Sequence, residues 1–200
     1  MLRVRLSSAS RSISTFSSSM PSLGDALTAA MERVCSGTFS HGDAHQLFDE
    51  LLRQGTPVPM RPLNGFLAAL ARAPTSDDCR GGPALAINLF CRMIQGAGPR
   101  VFSPTSYTYD ILMHCCCRVR RLDLTLAAFG CLLRTGMGAN VFAFSSLLRG
   151  LCDAKRTEEA MDVLLHRMPK LGCVPDVVSY IILLKGFCDS GRSQHALEIL

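Results

Sequence analysis

The sequence predicts an all-α protein, a right-handed α-solenoid of helix-turn-helix repeats. Three features lead to this prediction: one segment returns every 35 or 36 residues, each copy carries an apolar stripe at helical spacing, and glycines follow the predicted helices. The segment TYDILMHCCCRVRRLDL, which starts at Thr108, returns as AFSSLLRGLCDAKRTEE from Ala143 and as SYIILLKGFCDSGRSQH from Ser179. Because one helix pair cannot bury its own apolar stripes, such units stack on one another.

The first helix of each unit carries the clearest stripe. Its apolar residues lie at i, i+3, i+4, i+7 and i+8, which is the spacing of a helix with one buried face. The four stripes are Leu63, Phe66, Leu67, Leu70, Ala71; Tyr109, Leu112, Met113, Cys116, Cys117; Phe144, Leu147, Leu148, Leu151, Cys152; and Tyr180, Leu183, Leu184, Phe187, Cys188.

The three adjacent cysteines at 115–117 could suggest a metal or redox site. In the repeat alignment, however, Cys116 and Cys117 take the stripe positions of Leu151 and Cys152. Neighbouring residues on a helix point about 100° apart, and no second Cys/His pair lies at zinc-finger spacing. We therefore predict reduced cysteines buried as small apolar residues, and no metal ion or other cofactor.

A second helix follows each first helix, with apolar residues again at i, i+3 and i+4. In the fourth unit the last of them, Met168, falls one residue late. Gly55, Gly136 and Gly172 mark the ends of three second helices. The predicted units are a degenerate repeat at 25–59, a repeat with the surface-loop insertion APTSDDCRGG at 60–105, repeats at 106–140 and 141–176, and a repeat at 177–200 that we expect to be truncated.

The first 24 residues differ from the rest of the chain. They contain Arg3, Arg5, Arg11 and many serines, with no acidic residue before Asp25. They lack the continuous apolar stretch of about 7–15 residues that a secretory signal needs, and Arg- and Ser-rich starts are typical of organelle import. We predict a disordered transit peptide at 1–24, directed to the mitochondrion, with the chloroplast as the alternative. A plain disordered terminus is the simpler interpretation.

Composition narrows the possible classes of protein. The 200 residues are 48% apolar and carry a formal net charge of +5, enough apolar material for a folded core. No stretch reaches the roughly 18 uncharged apolar residues that a membrane span needs, so we expect no membrane insertion. No catalytic sequence motif is present, so we predict that the chain is not an enzyme.

The stretch VPDVVSYIILLKGFCDSGRSQHALEIL, from Val174, resembles the pentatricopeptide repeat in its plain 35-residue class. The order of the segments is similar to that of the grass mitochondrial fertility-restorer subfamily. The resemblance implies binding to single-stranded organelle RNA, one base per repeat, in support of RNA processing, stability or translation, with fertility restoration as one such role. The tetratricopeptide repeat, of period 34, fits less well because its Trp mark is missing.

The resemblance also implies which residues contact RNA. In this family the fifth and last residues of a repeat specify the base, and the second residue inserts between bases. The specifying pairs are Asn64 with Thr105, Asp110 with Asn140, and Ser145 with Asp176, and Ile181 holds the fifth place in the last repeat; the inserting residues are Arg61, Tyr107, Phe142 and Val178. Ser145 with Asp176 resembles a purine-reading pair that favours guanine, and Asn64 with Thr105 resembles a pyrimidine pair. The pair of Asp110 and Asn140 departs from the common ones.

Positive charge in the first-helix segments supports contact with RNA phosphates. The candidate residues are Arg118, Arg120, Arg121, Arg149, Lys155, Arg156, Lys185 and Arg192. An ordinary solvated helix face would look the same. A recruited nuclease or other processing protein is a further expected partner. A protein-interaction scaffold and a nonfunctional truncated remnant are the alternatives for the whole chain.

Overall fold

The computed structural model describes residues 22–74, 81–96 and 100–192, and every regular element in these ranges is a helix. The helices are α1 (Leu23–Cys35), α2 (His41–Gln54), α3 (Met60–Arg72), α4 (Gly82–Gly96), α5 (Ser106–Arg118), α6 (Leu122–Arg134), α7 (Val141–Asp153), α8 (Thr157–Asp162), a π-helical segment (Val163–Arg167), α9 (Met168–Lys170) and α10 (Val177–Asp189). Helices α1, α3, α5, α7 and α10 are the first helices of successive units, and the others are second helices. In these ranges no helix is both long enough and apolar enough to cross a bilayer.

First helices pack side by side, α1 on α3, α3 on α5, α5 on α7 and α7 on α10, and each second helix α2, α4 and α6 packs on its own first helix. This stacking is the right-handed α-solenoid that the repeats predict. Units are joined by edge-to-face ring contacts between the stripe aromatic of one first helix and the preceding second helix. Tyr109 meets Phe90 at 5.7 Å and Phe144 meets Phe129 at 5.1 Å between ring centroids.

The predicted stripes are buried in α3, α5 and α7. The stripe of α10 is only partly buried: Leu183 and Phe187 are fully buried, whereas Tyr180 and Cys188 are exposed. The prediction for Tyr180 and Cys188 is therefore wrong. The physical reason is coverage, since α5 lies under α7 and α7 under α10, while no helix of the described ranges covers the far side of α10.

Cys115, Cys116 and Cys117 are buried and reduced, as predicted. Burial raises the pKa of Cys115 and Cys116 to about 12, so these thiols stay protonated and behave as small apolar groups. The Cys117 thiol donates a hydrogen bond to the carbonyl oxygen of Ser146, 3.0 Å away.

Glycines let α7 and α10 each approach a cysteine of the preceding first helix. A Cβ on Gly150 would lie 3.6 Å from Cys117 Sγ, and a Cβ on Gly186 would lie only 2.4 Å from Cys152 Sγ. In the repeat register Cys115 takes the place of these glycines. The cysteines thus belong to the packing between units.

Helix α1 is better formed than its degenerate sequence suggests. It begins at Leu23, two residues before the predicted start of the first unit, and Ser22 and Asp25 form a reciprocal capping box at its N-terminus. Residues 1–21 of the predicted transit peptide, the tip of the predicted insertion (75–80) and the second helix of the last unit (193–200) lie outside the described residues. Residues 22–24, which the prediction also assigned to the disordered transit peptide, form the N-cap and the beginning of α1.

The late position of Met168 has a structural cause. Residues Val163–Arg167 form a π-helix, in which the amide of Met168 donates to the carbonyl of Val163, five residues back. A π turn absorbs one extra residue. Leu164 and Met168 therefore both remain fully buried, and the surplus residue sits on the outside, where Leu165 is 44% exposed.

Candidate nucleic-acid interface

A groove of about 480 Å³ runs along α5, α7 and the N-terminus of α10. It brings together six residues that the repeat register predicts to contact RNA, namely Tyr107, Asp110, Phe142, Ser145, Asp176 and Val178. These side chains come from three successive units. They meet because equivalent positions on stacked helices lie on one face of the solenoid.

The three predicted inserting residues of the groove are exposed in spite of being apolar. Phe142 is 75% exposed, Tyr107 56% and Val178 50%. An aromatic ring held at the surface offers a face on which a nucleobase can stack. Arg61, the equivalent residue of α3, is also exposed but is not part of the lining of this groove.

The pair Asp110 and Asn140 is hydrogen-bonded within the protein. Asn140 Nδ2 donates to Asp110 Oδ2 at 2.9 Å, and Asn140 Oδ1 accepts from the amide of Ala143 as the N-cap of α7. The second carboxylate oxygen of Asp110 is buried without a hydrogen-bond partner among the described residues. Burial raises the pKa of Asp110, and the bond from Asn140 partly offsets this effect.

The pair Asn64 and Thr105 is turned inward. Asn64 is only 7% exposed; its Nδ2 donates to Thr105 Oγ1 at 3.4 Å, and its Oδ1 accepts from Thr108 Oγ1 at 2.9 Å. Thr105 also caps α5 in a reciprocal box with Thr108. The structure brings the two predicted residues together but uses the polar atoms of Asn64 inside the protein.

The pair Ser145 and Asp176 is open. Both residues line the groove, and within the described residues no hydrogen bond joins them. Asp176 Oδ1 accepts from the amide and the hydroxyl of Ser179, each at 2.9 Å, and so caps α10. These two hydrogen bonds lower the pKa of Asp176. Ile181, the fifth residue of the last unit, is 57% exposed and does not line this groove.

The eight predicted phosphate contacts divide into two groups. Arg120, Arg149 and Lys185 are exposed, and no hydrogen bond or ion pair holds their side chains within the described residues. The others have partners: Arg118 donates to the carbonyls of Ala71 and Ala73, Lys155 to the carbonyl of Asp189, and Arg121, Arg156 and Arg192 form ion pairs with Asp123, Glu159 and Glu158.

Two of these cations have an unusual backbone conformation. Arg120 and Lys155 follow α5 and α7 with φ of +55° and +61°, at the position that Gly191 occupies after α10. The next amide in each case reaches back to close the helix end, from Arg121 to Cys116 and from Arg156 to Leu151. Glycine is the residue that usually adopts this left-handed conformation. At the ends of α5 and α7 a cationic residue adopts it instead.

Sequence reasoning missed two further residues, Arg72 and His114. Both line a cleft beside the groove together with Arg118, Arg120 and Arg149. His114 could have been found from the repeat register, since it is equivalent to Arg149 and Lys185. The capping role of the last residue of three repeats, Thr105, Asn140 and Asp176, was also missed, although Thr, Asn or Asp directly before a helix is its usual signal.

Comparisons with known proteins identify the repeats. Residues 107–137 match the profile of the PPR repeat, and residues 139–189 match that of the PPR repeat family. The chain is 48% identical over 137 residues to Protein Rf1, mitochondrial, from Oryza sativa subsp. indica. That alignment covers 68% of this chain and 16% of the relative's length.

Solved structures show the same fold. The pentatricopeptide repeat protein PPR10 from maize has a TM-score of 0.65 and 20% identity, covering 90% of this chain and 24% of PPR10. PPR10 in complex with an 18-nucleotide psaJ RNA element has a TM-score of 0.60 and 22% identity, and the match covers 92% of this chain and 28% of PPR10. The PPR domain of Arabidopsis thaliana protein-only RNase P 1 in complex with tRNA has a TM-score of 0.62 and 19% identity, and the match covers 87% of this chain and 84% of that domain. The recurring segment, the stacked helix pairs and these matches together show that the chain is a pentatricopeptide repeat protein.

Proposed function

We propose that this chain binds single-stranded RNA of mitochondrial transcripts and thereby supports RNA processing, stability or translation, fertility restoration being one such role. One observation carries the proposal: a single groove gathers the second, fifth and last residues of neighbouring repeats. The maize relative in complex with RNA supports the same ligand class.

The groove has the chemistry for bases. Tyr107 and Phe142 present exposed rings to successive units, and stacking on an aromatic ring is worth about 1–3 kcal/mol per base whatever the base. Ser145 and Asp176 offer hydroxyl and carboxylate oxygens to a base edge. We propose that this open pair favours guanine, and that Asp110 with Asn140 reads the preceding base.

The unit at 60–105 contributes less to base recognition in this proposal. The pair of Asn64 and Thr105 would read a pyrimidine, but the amide of Asn64 must first leave its bonds to Thr105 and Thr108. Breaking buried hydrogen bonds costs about 1–3 kcal/mol for each group left unsatisfied. We therefore expect weak discrimination at this base.

We propose a passive mode of action, in which the bound chain blocks or exposes RNA, with recruitment of a nuclease as the alternative. The mitochondrial name of the rice relative and the Arg- and Ser-rich residues 1–24 support a mitochondrial location, with the chloroplast as the alternative. Crosslinking and immunoprecipitation of the tagged chain from isolated mitochondria would test location and target together.

Fluorescence anisotropy with labelled single-stranded RNA tests binding directly. We expect affinity to fall steeply with salt, because phosphate contacts release counterions. Phe142→Ala should weaken binding about fivefold or more through lost stacking, and Arg149→Gln should reduce the salt dependence. The matched controls are Val174→Ala, another exposed apolar residue, and Arg53→Gln, on α2 with Glu50 as its partner. A salt-insensitive chain that prefers peptides to RNA would instead be a protein scaffold.

A further inference from the structure

A second concave site lies beside the base groove, where α3, α5 and α7 meet. This cleft of about 470 Å³ is lined by Arg72, His114, Arg118, Arg120 and Arg149, with one acidic residue, Asp153. Cations from consecutive units therefore converge on one space. Such a cluster attracts an anion, because the positive potentials of its members add.

His114 connects this cleft to the base groove, since it lines both. It lies four residues after Asp110, just as Arg149 follows Ser145 and Lys185 follows Ile181. Residues four apart on a helix lie on the same face, one turn from each other. A cationic or ionisable side chain thus accompanies the fifth position of three successive repeats, and His114 is the one member whose charge changes near neutral pH.

The surroundings of His114 disfavour the charged imidazole in the free protein. Burial, followed by the charges of Arg118 and Arg149, lowers its pKa. Arg118 cannot swing away freely, because it is bonded to the carbonyls of Ala71 and Ala73. The other charged or titratable groups that share the two sites with His114 are Arg72, Arg120, Cys117, Asp110, Asp153 and Asp176.

We propose that His114 is a phosphate ligand that takes up a proton when RNA binds, so that RNA binding through this cleft becomes tighter as the pH falls. The inference deepens the proposed function and rests on it. A phosphate in the cleft places negative charge between the imidazole and the guanidinium groups. It thus offsets the repulsion from Arg118 and Arg149 that disfavours the charged imidazole.

The sign of the linkage follows from the two states. The free protein has the lower imidazole pKa and the complex the higher one, so the complex binds more protons between the two values. Affinity then rises as the pH falls through the pKa of the complex, and levels off below that of the free protein. Each pH unit between the two values changes affinity by at most about tenfold.

The test is anisotropy with the full chain and a labelled single-stranded RNA, at constant ionic strength between pH 6 and 8. We expect severalfold tighter binding at pH 6 than at pH 8, and a flat profile for His114→Gln. The control His166→Gln, an exposed histidine of the π-helical segment beside Asp162, should keep the slope. Asp110→Asn should also keep it, which would assign the slope to the imidazole.

The outcomes separate the two proposals. Histidine NMR should show the imidazole pKa of His114 rising on addition of RNA. RNA binding with no pH dependence, or a slope that survives His114→Gln, would overturn the role of His114 and leave the proposed function standing. Absence of RNA binding at every pH would overturn both.

Discussion

The neighbouring units 106–140 and 141–176 share one framework and differ in their polar face. Both bury the stripe of the first helix, and both end with a residue that caps the next first helix. In the earlier unit the fifth and last residues, Asp110 and Asn140, are bonded to each other. In the later unit no hydrogen bond joins Ser145 and Asp176 within the described residues, and the second helix contains a π turn. Packing thus constrains volume and spacing, whereas the groove residues are free to vary.

The largest expected effect concerns spacing in the two second helices. Deleting Leu165 converts the spacing of Ala160, Val163, Leu164 and Met168 into the i, i+3, i+4, i+7 pattern of α6, so we expect little change in stability. Deleting the exposed Ala127 from α6 should rotate the two parts of the helix by about 100° relative to each other. Either Phe129 or the residues before it would then leave the buried face, which should cost about 3–5 kcal/mol, as for loss of a large core side chain. Urea unfolding would measure both. Equal losses of unfolding free energy in the two deletion variants would contradict the conclusion that the π turn absorbs one extra residue.

The next effect concerns the glycines between units. A Cβ on Gly186 would lie 2.4 Å from Sγ and 2.8 Å from Cβ of Cys152, whereas a Cβ on Gly150 meets Leu122 at 3.3 Å. Gly186→Ala should therefore destabilise the fold by about 1–3 kcal/mol. Gly150→Ala should be close to neutral, because the higher helix propensity of Ala, about 1 kcal/mol, offsets the tight contact with Leu122. Denaturant midpoints provide the test, and a tolerated Gly186→Ala would refute the close approach of α10 to α7.

The helix caps of the two units should differ in their response to pH. Asn140→Ala should still cost about 1 kcal/mol in acid, as loss of a neutral N-cap does, and more at pH 7, where it also removes the hydrogen bond to the Asp110 carboxylate. Asp176→Ala should destabilise at pH 7 only. Hydrogen bonds from Ser179 lower the pKa of Asp176 in the fold, so its contribution is present above the unfolded pKa near ~3.9 and is lost as the pH falls through the lower folded value.

Unfolding of the wild type and both variants between pH 2 and 7 would show whether the two caps differ in this way. The wild type and Asp176→Ala should converge in acid, and the wild type and Asn140→Ala should not. Parallel curves for all three proteins would mean that the Asp176 carboxylate is not the group that caps α10.

The smallest effect concerns the left-handed residue after α7. Lys155→Gly should stabilise the protein by up to about 1 kcal/mol. Removing the Cβ at φ +61° relieves about 1–2 kcal/mol of steric strain, and this gain exceeds the extra backbone entropy that glycine loses on folding, about 0.5–1 kcal/mol. If the charge of Lys155 contacts RNA, the same variant should bind RNA more weakly. If Lys155 only donates its hydrogen bond to the carbonyl of Asp189, RNA affinity should not change. Thermal unfolding and anisotropy on one sample distinguish these roles.

The fold follows from the sequence where the determinants are local. Helical spacing predicts the first helices, and the sequence alone shows that Met168 lies one residue beyond the repeat spacing. The inward turn of Asn64 was not predictable, because it depends on Thr108 in the next unit. Likewise, the repeat register placed Tyr180 on the buried stripe, but its exposure depends on which helix covers α10. Spacing within a unit predicts the helices, whereas contacts between units determine which side chains are buried and how they are oriented.

The most direct test of the account is to map where RNA touches the chain. Ultraviolet crosslinking to single-stranded RNA, followed by mass spectrometry, should yield adducts on peptides containing Tyr107 and Phe142, the exposed rings of the groove. Peptides of the second helices α2, α4 and α6 should remain free of adducts. Adducts confined to those second helices, or none under conditions where the RNA binds, would contradict the central claim that RNA lies along the first-helix groove.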